Sequence, residues 1–220
     1  HLLAFADQAG SAIETSRLFI GLENANAELT LAYDATLEGW SHALDLRDKE
    51  TEGHSQRVTK ITLLLAEAIG MQSDDLVHIR RGALLHDIGK IGVPDKILHK
   101  TGPLTEEELK IMQQHPIYSF EMLSSIQYLR PAIDIPYCHH EHWDGTGYPQ
   151  GLAGKDIPLA ARIFAIVDVW DSLITDRPYR LAWPPGKVVD YLKDQSGTYF
   201  DPSLLDTFLK LDVIQQQLKD

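Results

Sequence analysis

The first proline in this chain is Pro94, so the sequence before it lacks the residue that most reliably ends a helix. Long helices are therefore permitted throughout the N-terminal part, and apolar spacing predicts that they form. Leu2, Ala6, Ala9, Ile13 and Ile20 recur at helical spacing, and Leu22, Ala25, Leu29, Tyr33 and Trp40 continue it loosely, which predicts one long connecting helix. Over 52–70, His54, Val58, Ile61, Leu65 and Ala68 fall on one stripe, so His54 is expected to face a core. Ser73 with Asp74 and Asp75 is a helix start, and Leu76, Ile79, Ala83 and His86 then recur at three- and four-residue spacing until Gly89 and Gly92. Further helices are expected over about 105–114, 116–127, 130–141, 158–175, 184–194 and 202–219, and no segment alternates as a strand does. The predicted fold class is all-α.

His86-Asp87 interrupts an apolar segment, with Ala83-Leu84-Leu85 before it and Ile88 after. Buried ionisable groups are costly unless paired or metal-bound. Glu50, His54, His115, His139, His140 and Asp168 offer further nitrogen and oxygen donors, which makes metal binding the simplest explanation. Imidazole with carboxylate and no thiolate suits iron or manganese, and zinc or nickel less well. Metals roughly 3.5–4 Å apart activate water and hold phosphate oxygens for in-line attack, so phosphodiester cleavage is chemistry such a cluster serves.

The motifs occur as an ordered series: Arg47-Asp48-Lys49-Glu50-Thr51-Glu52-Gly53-His54, His86-Asp87-Ile88-Gly89-Lys90, His115-Pro116, His139-His140-Glu141-His142-Trp143-Asp144-Gly145-Thr146-Gly147-Tyr148-Pro149 and Arg177-Pro178-Tyr179-Arg180. This series resembles the HD-GYP family, the cyclic di-GMP phosphodiesterase branch of the HD metal-hydrolase superfamily. The resemblance implies an HD-superfamily helical bundle over 41–220. Residues 1 to about 28 are similar to the final helix of a GAF sensory domain, so 1–40 is expected to be the C-terminal helix of an upstream domain plus linker. Because the chain begins with His1, a fragment of a larger protein is expected.

By resemblance, two or three divalent ions, iron or manganese, form the cofactor. His54, His86, Asp87 and Asp168 would hold one metal, with Asp87 bridging to a second held by His115, His139 and His140. Glu50 stands where the trinuclear subset carries a glutamate ligand for a third metal; an exposed acid is the alternative. Lys90 is assigned to the substrate phosphate and, with Asp87, to catalysis, since a point charge there stabilises a developing oxyanion. Arg177 and Arg180 match positions that contact phosphate or guanine, with surface ion pairing the rival role for Arg180. The implied activity is hydrolysis of cyclic di-GMP to linear pGpG, with GMP as a possible further product. The alternatives are a cyclic-dinucleotide receptor or docking module with little catalysis, and an HD-type phosphodiesterase for another cyclic dinucleotide or a general HD-type nucleotidase.

The glycine-rich run over 142–158 reads as a substrate- or partner-facing loop, and docking of a diguanylate cyclase through Gly145–Pro149 is the partner reading. Tyr148 is expected to serve docking or loop structure rather than the chemical step. His142 is expected to support the ligands from outside their shell; His1, His42, His78 and His99 are expected at the surface or in helix packing. Cys138, Ile166, Trp170 and Leu173 read as packing residues. A homodimer through the N-terminal helix is also expected. The formal net charge of −12 argues against a nucleic-acid polymer. The single cysteine suits a reducing compartment, and no apolar stretch approaches the roughly 18 residues of a membrane span, so a cytoplasmic location is expected.

Overall fold

The computed structural model describes residues 2–48, 53–176 and 180–218, among which regular structure is helical and β contacts are isolated bridges such as Ser196–Phe200. Glu50 and Arg177 lie outside the described residues. Among those described, no helix is long and apolar enough to cross a membrane.

The chain divides into two units, residues 1–39 and 40–220. The first consists of most of α1 (Leu2–Asp48). Its Leu18, Phe19, Ile20, Leu22, Leu29 and Leu31 are exposed and spread around the helix rather than along one stripe.

The core of the second unit is built on α2 (His54–Ala68), against which α3 (Ser73–Leu84) and a later apolar helix both pack. The stripe on α2 forms through its first four members, with His54, Val58, Ile61 and Leu65 buried, whereas Ala68, the last residue of the helix, is exposed. After α3 come α4 (Asp95–Leu98), α5 (Glu106–Met112) and α6 (His115–Ser124). The start of α5 is fixed by a reciprocal capping box between Thr105 and Glu108. Next are α7 (Asp134–Cys138) and α8 (Leu159–Ile174), whose Ile163, Phe164, Ile166, Val167 and Trp170 have no exposed surface. Each of these larger side chains contributes roughly 1.5–3 kcal/mol by burial. α9 (Pro185–Asp194), α10 (Pro202–Phe208) and α11 (Asp212–Gln217) close this core with Val188, Leu192, Leu205, Phe208 and Ile214.

Three predicted helices differ in extent. α3 stops at Leu84, before His86, because the chain tightens into a run of three-residue hydrogen bonds (Ile88 N to Leu85 O, 3.0 Å) that leads into a 3-10 helix, Ile88–Gly92. The helix expected over 130–141 is instead a 3-10 helix, Gln127–Ala132, followed by the short α7; Pro131 and Pro136 each lack the amide hydrogen that a continuous helix needs. The helix expected over 202–219 breaks between α10 and α11, where Leu211 N turns back to Phe208 O at 3.1 Å.

Candidate metal centre

His54 opens α2, His86 and Asp87 follow α3, His115 opens α6, His139 and His140 follow α7, and Asp168 lies within α8. Most of these side chains therefore sit at helix ends, where a turn can redirect them toward a common point. The fold gathers them into two adjacent groups: Asp87, His115, His139 and His140, and His54, His86 and Asp168. Within each group the donor atoms lie within 4.8 Å of one another. Asp87 stands between the groups. Its Oδ2 is 3.0 Å from His86 Nε2, while its Oδ1 is 3.3 Å from His115 Nε2 and 3.7 Å from His139 Nε2.

The tautomers follow from the partners on the far side of each ring. His86 Nδ1 meets Ala83 O at 2.9 Å, His115 Nδ1 meets Met112 O at 2.8 Å, and His139 Nδ1 meets Ile135 O at 3.0 Å. A carbonyl oxygen only accepts, so each Nδ1 carries the proton and, in a neutral ring, each Nε2 presents a lone pair to the cluster. His115 Nε2 and His139 Nε2 face each other at 3.4 Å, which sets two such acceptors against one another in a buried site. His54 repeats the problem: Nδ1 is held by Asp171 Oδ2 at 2.8 Å, and Nε2 faces Asp168 Oδ1 at 3.4 Å. Converging acceptors are relieved by a cation, and neutral imidazoles with carboxylates fit a divalent one. Burial, with His139 and His115 nearby, holds His140 well below the ordinary imidazole range, and burial likewise lowers His139. Burial alone would push the Asp87 carboxyl up, but Lys90, His86, His115 and His139 together hold it well below the usual carboxylate range.

Lys90 reaches the same point from the 3-10 helix, with Nζ 2.8 Å from Asp87 Oδ2 and 2.6 Å from Asp48 Oδ2. Arg47 holds this segment from the end of α1, donating to Lys90 O at 2.8 Å, Val93 O at 2.9 Å and Asp95 Oδ1 at 2.8 Å. Arg180 instead donates to the carbonyls of Ser172 and Leu173 at the end of α8 and lies 5.8 Å from the Trp183 ring. It thus caps a helix whose last carbonyls need donors.

The glycine-rich segment folds back onto the cluster. Tyr148 N donates to His140 O at 3.1 Å, and the Tyr148 ring stacks on His140 with centroids 4.7 Å apart. Gly147 permits this approach, because a Cβ there would stand 2.3 Å from His142 N. Buried Glu141 accepts from Gln150 N at 2.7 Å and Leu152 N at 2.9 Å, tying the loop down, while Asp144, Thr146 and Gln150 face solvent. His142 bonds Thr146 and packs on Tyr199, so its shown contacts brace the loop rather than the ligands. Cys138 is buried, and burial with nearby Asp134 and Glu141 pushes its thiol up to about 12.

Asp171 is a site residue that goes unassigned by sequence alone, although an acid directly after Trp170 in an apolar run is a signal. The side chain is 2% exposed; burial would raise its pKa, but hydrogen bonds from His54 and Arg57 bring it below the ordinary carboxylate value.

A helical bundle that brings five imidazoles and two carboxylates into neighbouring donor groups defines a histidine–aspartate metal-site domain. The chain belongs to the HD domain family, whose profile matches residues 40–204. It is 41% identical over 177 residues to the cyclic di-GMP phosphodiesterase response regulator RpfG of Xanthomonas campestris pv. campestris, covering 80% of this chain and 47% of that protein. It is 36% identical over 203 residues to the 3'3'-cGAMP-specific phosphodiesterase 2 of Vibrio cholerae, covering 91% of this chain and 38% of that protein. The chain thus spans less than half the length of either relative. Among solved structures, the fold is similar to that of Bd1817, an HDG"Y"P protein from Bdellovibrio bacteriovorus, with a TM-score of 0.61, 24% identity, and coverage of 76% of this chain and 53% of that one.

Proposed function

We propose that this protein is a metal-dependent phosphodiesterase that hydrolyses cyclic di-GMP to linear pGpG, with GMP as a further product. The observation that carries the reading is Asp87, whose two oxygens address two groups of buried imidazole acceptors. The names of the two relatives, one acting on cyclic di-GMP and one on 3'3'-cGAMP, support a cyclic dinucleotide containing guanine as substrate.

In this reading His54, His86 and Asp168 hold one divalent ion, His115, His139 and His140 hold another, and Asp87 serves both. Iron or manganese suits this donor set. Bound there, the ions supply Lewis acidity, activating water and neutralising charge on phosphoryl oxygens. Lys90, steadied by Asp48 and by the Arg47 clamp, presents a cation to the scissile phosphate. Arg177 is proposed to contact phosphate or guanine, and Arg180 would do so by leaving its helix-capping bonds. Residues 41–220 form the catalytic domain and 1–40 the end of an upstream sensory domain with its linker, in a cytoplasmic protein that pairs with a second copy through α1.

Glu50 is proposed as the ligand that recruits a third ion. Glu50→Gln is expected to lower the metal count by about one ion, because an amide is a poor substitute for an anionic ligand, and to leave the other ions in place. An unchanged ion count in anomalous diffraction makes Glu50 a surface acid.

Tyr148 braces His140, and a diguanylate cyclase would dock on the solvent face of the same loop at Asp144, Thr146 and Gln150. Ring stacking is worth roughly 0.5–1.5 kcal/mol, so Tyr148→Ala is expected to slow turnover by about tenfold or less. The loss should appear equally with cyclic di-GMP and with a small generic phosphodiester. A loss confined to cyclic di-GMP would instead make Tyr148 a substrate contact, and unchanged turnover with lost cyclase binding would make it a docking residue.

The function is tested with anaerobically purified protein, by metal analysis and by chromatography of products from cyclic di-GMP and 3'3'-cGAMP. Metal-dependent release of pGpG is the expected result. Cleavage of 3'3'-cGAMP alone transfers the reading to that substrate, and binding of both without cleavage by metal-replete protein makes the domain a receptor.

A further inference from the structure

Three of the site's histidines use neutral backbone carbonyls to fix Nδ1, as described for His86, His115 and His139. His54 differs, because its Nδ1 partner is the carboxylate of Asp171, contributed by a helix 117 residues further along the chain. That carboxylate is itself held: Arg57 donates through Nε to Oδ1 at 2.8 Å and through Nη2 to Oδ2 at 2.8 Å. Asp168 lies one helical turn before Asp171, so α8 grips one imidazole from both sides, with Asp171 at Nδ1 and Asp168 facing Nε2. Arg57, one turn after His54 on α2, closes the ring of contacts back to the helix that carries the ligand.

We propose that Asp171 is a positioning residue for His54, and that with Arg57 it selectively sets the divalent-cation affinity of the His54, His86 and Asp168 group. The physical basis is twofold. Acceptance of the Nδ1 proton fixes the tautomer that leaves Nε2 as a donor, and the bidentate arginine fixes the carboxylate that fixes the ring. Among the site's histidines the Asp171 carboxylate bonds His54, so its influence on the Asp87, His115, His139 and His140 group is expected to pass only through His54 and the shared Asp87. The proposal rests on the metal reading above. The competing explanation is an ordinary buried ion pair that staples α2 to α8, which would affect the whole fold and both groups alike.

Titration of the chelator-treated full chain with Mn2+, followed by the electron paramagnetic resonance signal of free Mn2+, separates these cases. In a His139→Ala background, where the remaining binding reports on the His54 group, Asp171→Asn is expected to weaken Mn2+ binding by roughly 10–100-fold, the usual effect of losing a partner behind a ligand. In a His54→Ala background, the same Asp171→Asn change is expected to leave the remaining Mn2+ affinity unaltered. Arg57→Gln, which leaves the His54–Asp171 bond in place, is expected to produce a smaller loss in the same group. Unchanged affinity in the His139→Ala background, or equal losses in both backgrounds, overturns the proposal. If Asp171→Asn does not fold, Arg57→Gln is read in the same way, and absence of a group-selective loss is equally decisive. A parent protein that takes up no Mn2+ overturns the metal reading itself, a result distinguishable from failure of Asp171 alone.

Discussion

Asp87→Ala is expected to remove most bound metal and to abolish measurable cyclic di-GMP turnover. The loss should exceed the roughly 10–100-fold that follows removal of a partner behind a ligand, because Asp87 faces both donor groups directly. The fold should survive. Lys90 keeps Asp48 at 2.6 Å when its second carboxylate disappears, so no buried ammonium is stranded. The expected outcome is near-parental helical content by circular dichroism, with metal and turnover both lost. Normal metal stoichiometry and retained turnover in this variant would sink the metal-site reading.

Gly89→Ala should have the largest effect on stability of any single methyl addition near the site. A Cβ at position 89 would lie 1.9 Å from His115 O and 2.7 Å from Ser119 N and Oγ. Main-chain atoms cannot rotate aside as a flexible side chain can, so the 3-10 helix Ile88–Gly92 must move off α6. The bond from Gly89 N to Ser119 Oγ, 2.9 Å, is strained in the same movement. Overpacking typically costs about 1–3 kcal/mol, and a clash with main-chain atoms belongs at the upper end of that range. For a chain of this size, 3 kcal/mol corresponds to a fall in Tm of roughly 6–12 °C. Because His115 Nε2 is only 3.3 Å from Asp87 Oδ1, the displacement also separates the two sides of one donor group, so metal affinity should fall with stability. A variant that melts within a degree of the parent would show that the segment has room the geometry denies it.

Helical periodicity was legible because it is a local property of the chain. His54, Val58, Ile61 and Leu65 share a face of α2 by spacing alone, and spacing also put Ile166 and Trp170 of α8 in the core, where both are fully buried. The predicted helices failed where a local pattern met a local exception: Pro131 and Pro136 divide the segment before His139, and the chain tightens after Leu84 just before the His86-Asp87 pair. The loop over 142–158 was visible from its glycines, but its direction was not. Only in three dimensions does Gly147 press against His142 N and carry Tyr148 onto His140.

By itself the sequence determined which donor atoms are available and in what order along a helical chain they occur, since residue type and spacing are written along it. The tertiary structure alone decided how those donors are used. It turned the Nδ1 atoms of His86, His115 and His139 to carbonyls, leaving their Nε2 atoms to converge. It also paired His54 with an aspartate 117 residues away. The physical reason is that periodicity arises from the covalent geometry of neighbouring residues, whereas a tautomer is set by whichever acceptor packing brings to the other side of the ring.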